Sequence, residues 1–243
     1  MSTFRIDTEV RLDKLINGKH YAKAKNLAPS LPDGFTVTYH AGALHTKPNT
    51  VESIEAALSY GAKVVEFDVT FRPDGTAVVI HSGAPKQNEG VLLDEALKTV
   101  ATDKQCKINL DIKSTVNLPQ VDLLIEKHGL TDRVFYTGVF RDWVDTVKKN
   151  SAIPYFLNHK ITAEESKSKE LLQKLADEII SLGAIGLNSH FGNATPLTTE
   201  IMHKNNLLVS LWTANKSPDM AKVIACLPDN ITTKKPHLLT QMI

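Results

Sequence analysis

Cysteine is scarce in this chain: 243 residues include two, Cys106 and Cys226. Two thiols make no disulfide framework, and these two form no close metal motif. They read as small buried residues of a protein kept in a reducing compartment. Net charge is nearly absent as well, +1 from 28 basic and 27 acidic residues. Whole-chain electrostatics therefore gives no reason to expect nucleic acid or an anionic membrane surface as a partner. The N-terminal stretch MSTFRIDTEVRLDK lacks the apolar core of a signal peptide, and no apolar run is long enough to span a bilayer. There is no GxGxxG or Walker-type loop, no short internal repeat and no low-complexity tract. These absences predict a soluble, cytoplasmic protein with no nucleic-acid partner and no stable membrane insertion. They leave the oligomeric state open.

What is present is an ordinary globular composition, 42% apolar and 23% charged, enough for a full core. Residues 1–34 are mixed and polar. Val10, Leu12, Leu15 and Ile16 suggest a short helix, and Pro29, Pro32 and Gly34 end the segment. It reads as an N-terminal helical extension packed on a main domain of residues 35–243. From Phe35 onward strands and helices alternate. Strands are expected to start near residues 35, 64, 107, 133, 153, 184, 207 and 231, with a helical pattern between each pair. Asn49 reads as the cap of the first helix, with Glu52 three residues on. A helix over about 163–182 carries an apolar stripe of Leu171, Leu172, Leu175, Ile179 and Ile180. Eight such units in a chain of roughly 250 residues predict an α/β fold, a TIM (β/α)8 barrel. A doubly wound open sheet is the competing architecture.

The most informative stretch is Val64 to His81, VVEFDVTFRPDGTAVVIH. Glu66 and Asp68 lie two apart on a strand, so both carboxylates point to one side. The turn Pro73-Asp74-Gly75 follows. The next β-type run, Ala77 to Ile80, starts too soon for a parallel crossover and must return antiparallel. This short hairpin arm brings His81 back towards the carboxylates. Asn109, Asp111 and Lys113 share one face of the following strand. In a barrel the polar residues at strand C-termini converge on one mouth. Here they are His40, Glu66, Asp68, Asp111, Lys113, Asn158, His159, Asn188, His190 and Trp212. Clustered carboxylates need a counter-charge, and a hard divalent cation such as Mg²⁺ or Ca²⁺ supplies one. His40 and His81 can exchange protons near neutral pH. A cation with an acid-base pair suits displacement at phosphorus. The bland alternatives are a solvated strand face for Glu66 and Asp68, ordinary strand-end histidines, a surface lysine at 113 and a pocket wall at Trp212.

These residues in this order resemble the glycerophosphodiester phosphodiesterase family, of the phospholipase-C-like TIM-barrel superfamily. His40-Ala41-Gly42 stands where the family has His-Arg-Gly, and Asn49-Thr50 matches the end of Pro-Glu-Asn-Thr. Glu66-Phe67-Asp68-Val69 matches Glu-x-Asp-Val, Asp74-Gly75 its turn, and Val78-Val79-Ile80-His81 its Val-Val-x-His. Asp111-Ile112-Lys113 stands at Glu-x-Lys, Trp212-Thr213-Ala214-Asn215 at Trp-Thr-Val-Asn, and Ile231-Thr232-Thr233 at the last strand. Each motif is weak alone; the ordered series over about residues 35–238 is specific.

The resemblance implies that Glu66, Asp68 and Asp111 bind a divalent metal, Mg²⁺ or Ca²⁺, and that His40 and His81 are the catalytic pair. It implies that Lys113 contacts the phosphate and that the substrate is a small-molecule phosphodiester, with Trp212, Asn188 and His190 as pocket candidates. The reaction implied is hydrolysis to glycerol 3-phosphate and an alcohol. Four positions depart from the pattern: Ala41 for arginine, Pro48 for glutamate, Ser82 for aspartate and Asp111 for glutamate. The stretch between His81 and Leu92 is also short. The departures keep two rivals in play, a related phosphodiester lyase or sugar-phosphodiester hydrolase, and a non-catalytic binding barrel.

Overall fold

The computed structural model describes residues 3–243. The eight expected strands are β1 (Thr36–Tyr39), β2 (Val64–Phe71), β5 (Lys107–Ile112), β6 (Val134–Val139), β7 (Tyr155–Asn158), β8 (Gly186–His190), β9 (Leu208–Trp212) and β10 (Asn230–Thr233). Two more, β3 (Ala77–Val79) and β4 (Val91–Leu92), form the hairpin arm and pair antiparallel. The sheet order is β1-β10-β9-β8-β7-β6-β5-β2-β3-β4, and β1 also pairs with β2. The eight long strands form a closed parallel barrel with helices between them, the TIM-barrel fold.

By contacts the chain divides into two compact units, Tyr39–Asn158 and Met1–Thr38 with His159–Ile243. In the first unit, α2 (Val51–Ser59), α3 (Leu93–Val100), α4 (Leu118–Lys127) and α5 (Val144–Asn150) connect the strands. Every residue of β2 is buried, as a parallel strand covered on both faces requires. Ile108, Leu110 and Ile112 of β5 are likewise sealed, and each such side chain contributes about 1.5–3 kcal/mol on leaving water. Cys106 and Cys226 are free and buried, and burial pushes both thiols up to about 11. That leaves both unreactive near neutral pH.

The second unit holds α1 (Thr3–Leu27), α6 (Lys169–Leu182), α7 (Pro196–Lys204), α8 (Ser217–Ile224) and α9 (Pro236–Leu239). Three local expectations need correction. The N-terminal helix is not short: α1 has 25 residues, with non-helical backbone at Asn17. It packs on α8, and Ile6, Tyr21 and Ala24 are its buried apolar residues, whereas Leu12, Leu15 and Ile16 face solvent. Helix α6 starts at Lys169 after a separate turn at Glu165–Lys167. Its buried stripe is Leu172, Leu175, Ala176 and Ile179, and Ile180 is exposed. Thr50, not Asn49, caps α2: its side chain accepts from the Ser53 N–H. Among the described residues no helix is long and apolar enough to cross a membrane.

Candidate active site

The carboxylate cluster lies wholly within the unit of residues 39–158. Parallel pairing of β2 with β5 sets Asp68 opposite Asp111 and Glu66 opposite Asn109. One ligand oxygen from each of Glu66, Asp68 and Asp111 falls within 4.8 Å of the others. Two backbone bonds carry the flanking residues to the same place. The Ile80 N–H donates to the Asp68 carbonyl at 3.1 Å, which delivers His81. The Lys113 N–H donates to the Val69 carbonyl at 2.8 Å.

Buried charge must be answered locally, and each carboxylate is answered differently. Glu66 accepts from the Ala41 N–H at 2.7 Å and lies 3.7 Å from His40 Nδ1. Its pKa is pushed well above the carboxylate range, first by burial and then by the charges of Asp68 and Asp111. For Asp68, burial acts upward too, but Lys113 and Asn49 outweigh it and hold the pKa below its usual value. Lys113 Nζ stands 2.9 Å from Asp68 Oδ1 and 2.6 Å from Asp111 Oδ2. Burial alone would lower the Lys113 pKa; Asp111 and Asp68 raise it instead. His81 Nδ1 is 3.2 Å from Asp68 Oδ2, and its side chain is 76% exposed. His40 Nδ1 lies 3.1 Å from the carbonyl of Ala41.

Two residues of this cluster have roles that the sequence did not give away. Asn49 has φ 59° and grips Asp68 at two points. Its Nδ2 donates to Asp68 Oδ2 at 2.7 Å, and its Oδ1 accepts from the Asp68 N–H at 3.0 Å. Asparagine tolerates the left-handed backbone this needs. Gly138 of β6 has φ 77°, and any Cβ there would run into Asp111 Oδ1 and the Ile112 backbone. The pairing of β6 with β7 is irregular at this point. An isolated glycine inside a strand pattern is the available signal for such an approach. Pro48 also gains a structural reading: a Cβ on Gly42, whose φ is 80°, would meet the Pro48 ring.

A cation fits this donor set. The three carboxylates offer hard oxygen ligands, and Asp111 Oδ1 is buried without a hydrogen-bond partner. Orphaned buried acceptors are rare, and an ion is one explanation for them.

Of the remaining strand-end residues, Asn158 lies in the first unit, where its Oδ1 accepts from the Gly138 N–H at 3.0 Å, and the others lie in the second. Asn188 is buried in β8. His190 stacks on Phe191 with centroids 4.8 Å apart, and Trp212 meets it edge-on at 5.5 Å. Trp212 Nε1 is buried and has no hydrogen-bond partner. His159 pairs with Glu165, and His203 with Asp229. His128 pairs with Asp94 in the first unit.

Fold and cluster together define a parallel (β/α)8 barrel with three clustered carboxylates and a histidine on either side. Comparison with known proteins points to one family. Residues 40–87 match the model of the glycerophosphoryl diester phosphodiesterase family. A glycerophosphodiester phosphodiesterase of Caldanaerobacter subterraneus subsp. tengcongensis is 23% identical over 244 residues, spanning 85% of this chain and 97% of that protein. Among solved structures, an Oleispira antarctica phosphodiesterase in complex with the product sn-glycerol-3-phosphate superposes with a TM-score of 0.68 at 17% identity, covering 89% of this chain and 98% of the other. A Thermotoga maritima glycerophosphodiester phosphodiesterase gives 0.63 at 18%, covering 86% and 98%. The chain thus resembles this family in motif order, in sequence over most of its length and in fold.

Proposed function

We propose that this protein is a divalent-cation-dependent phosphodiesterase that hydrolyses a glycerophosphodiester to glycerol 3-phosphate and an alcohol. The observation that carries the reading is the meeting of Glu66, Asp68 and Asp111 within 4.8 Å, beside the hairpin that presents His81. The family resemblance supplies the substrate class. In this reading Glu66, Asp68 and Asp111 hold the cation, Mg²⁺ or Ca²⁺. The cation, when bound, polarises a phosphoryl oxygen and offsets its charge.

The chain's own residues do the rest. His81 is oriented by Asp68 through Nδ1, which leaves Nε2 to exchange a proton with the attacking or leaving oxygen. His40, held beside Glu66 and the Ala41 carbonyl, is the other member of the acid-base pair. Lys113 offsets two carboxylates and, on the resemblance, contacts the phosphate. With alanine at position 41, no guanidinium supplies the bidentate contact an arginine would give, so more of the anion's charge falls to Lys113 and the cation. On the resemblance, Trp212, Asn188 and His190 are assigned to the substrate.

The test is a panel of glycerophosphodiesters assayed for released alcohol with Mg²⁺ or Ca²⁺ and with chelator. We expect cation-dependent release, and a loss of about 10²–10⁴-fold in kcat for His40→Ala or His81→Ala with the fold retained. No release from any member of the panel would overturn the assignment.

A further inference from the structure

The near-neutral charge of the whole chain conceals a sorting of charge across α1. Its acids mostly turn inward. Glu9 receives Lys235 Nζ at 2.7 Å and faces His237 Nε2 at 2.9 Å. Asp13 accepts from Asn17 at 2.9 Å and from Tyr21 at 2.8 Å, and also from Ser217. The bases turn outward: Arg5, Arg11, Lys19, Lys23 and Lys25 are all exposed, against the single exposed acid Asp7. Amid these bases lies an apolar stripe. Leu12, Leu15 and Ile16 are 55%, 81% and 77% exposed, and their i, i+3, i+4 spacing puts them side by side.

We propose that the outward face of α1 is a docking surface for an anionic lipid bilayer, on which the protein adsorbs without spanning it. On this face bases and a small apolar patch lie side by side, so attraction to an anionic leaflet and shallow apolar burial act together. Each base near an anionic leaflet adds electrostatic attraction, and the stripe adds apolar burial at the acyl boundary. The same charges disfavour the other occupants. A second copy docked face to face would set five bases against five. Nucleic acid would satisfy the bases and leave the apolar stripe in water. Local charge on this face, not the chain total, sets the attraction.

The test is co-sedimentation of the full chain with vesicles of phosphatidylcholine alone and of phosphatidylcholine with about 30% phosphatidylglycerol. Two variants accompany it, Leu15→Ser with Ile16→Ser, and Arg11→Gln with Lys19→Gln and Lys23→Gln. All five positions are exposed, and unchanged thermal unfolding would establish that both variants fold. The proposal expects binding to the anionic vesicles only, a loss of about tenfold or more in each variant, and weakening between about 0.1 and 0.5 M salt. It is overturned by absence of binding, by equal binding to neutral vesicles, or by binding that both variants retain. A doubled mass in light scattering, abolished by Leu15→Ser with Ile16→Ser, would give the face to a second copy instead.

Discussion

Glu66 and Asp68 differ by two positions on one buried strand, yet their environments push them in opposite directions. Burial dominates at Glu66 because a single backbone N–H and a histidine are its nearest partners. At Asp68 a lysine and an asparagine amide outweigh burial. The consequences for stability have opposite signs. A carboxyl raised in the native state stabilises fully below the ordinary carboxylate range, and that contribution is lost as pH rises through the raised value. A lowered carboxyl stabilises above the ordinary range and loses its contribution as pH falls through the lowered value. Urea unfolding in chelator should therefore show stability falling from the ordinary carboxylate range upward, and Glu66→Gln should flatten that fall. An unchanged slope in Glu66→Gln would mean that the cost of ionising this cluster lies elsewhere. Added Mg²⁺ or Ca²⁺ should offset the fall in the parent protein, since a cation binds the ionised form and releases the proton.

Asn49 is the residue whose role was least legible. Asparagine before a helix is an ordinary capping signal, and Thr50, beside it, took that task. What sequence could not convey is that a left-handed backbone would turn the Asn49 amide onto a carboxylate nineteen positions away. Replacing Asn49 by glycine keeps the backbone permissible while removing both bonds. We expect a loss of about 1–3 kcal/mol in stability from the unpaired Asp68 groups. Calorimetric titration should show cation affinity weaker by about 10- to 100-fold. Cation binding and stability unchanged in Asn49→Gly would remove Asn49 from the account.

Elements were legible where pattern and topology agree. The β2–β3 hairpin follows from a turn too short for a crossover, and its observed register, Val69 with Val79, returns His81 to Asp68. The leucines of α1 misdirect because its inward face is built from Ile6, Tyr21, Ala24 and paired acids instead. The buried stripe of α6 is narrower than its apolar pattern because Ile180, apolar by type, lies on the outer face. The irregular end of β6 was invisible except as a glycine. At Gly138 the approach of Asp111 and the Ile112 backbone leaves no space for a methyl group. Gly138→Ala should cost at least about 2 kcal/mol in urea unfolding, and it should weaken cation binding by displacing Asp111. A fully stable, cation-binding Gly138→Ala protein would contradict this geometry.

At the scale of the molecule, regular alternation of strand and helix made the barrel readable before any contact was known, and the eight parallel strands fall within a few residues of expectation. Alternation does not specify which loops are cut short or what replaces a missing side chain. Those depend on contacts such as Pro48 on Gly42, or Arg72 holding the hairpin loop through the carbonyls of Glu89 and Gly90. In the proposed reading this cluster, on this barrel, cleaves a phosphodiester by hydrolysis. Phosphorus NMR of glycerophosphocholine incubated with the protein tests it most directly, with and without Mg²⁺ or Ca²⁺. We expect conversion to the glycerol 3-phosphate resonance only with cation, slowed by about 10²–10⁴-fold in His40→Ala or His81→Ala. Accumulation of a cyclic phosphate, or a diester signal unchanged in the presence of cation, would contradict it.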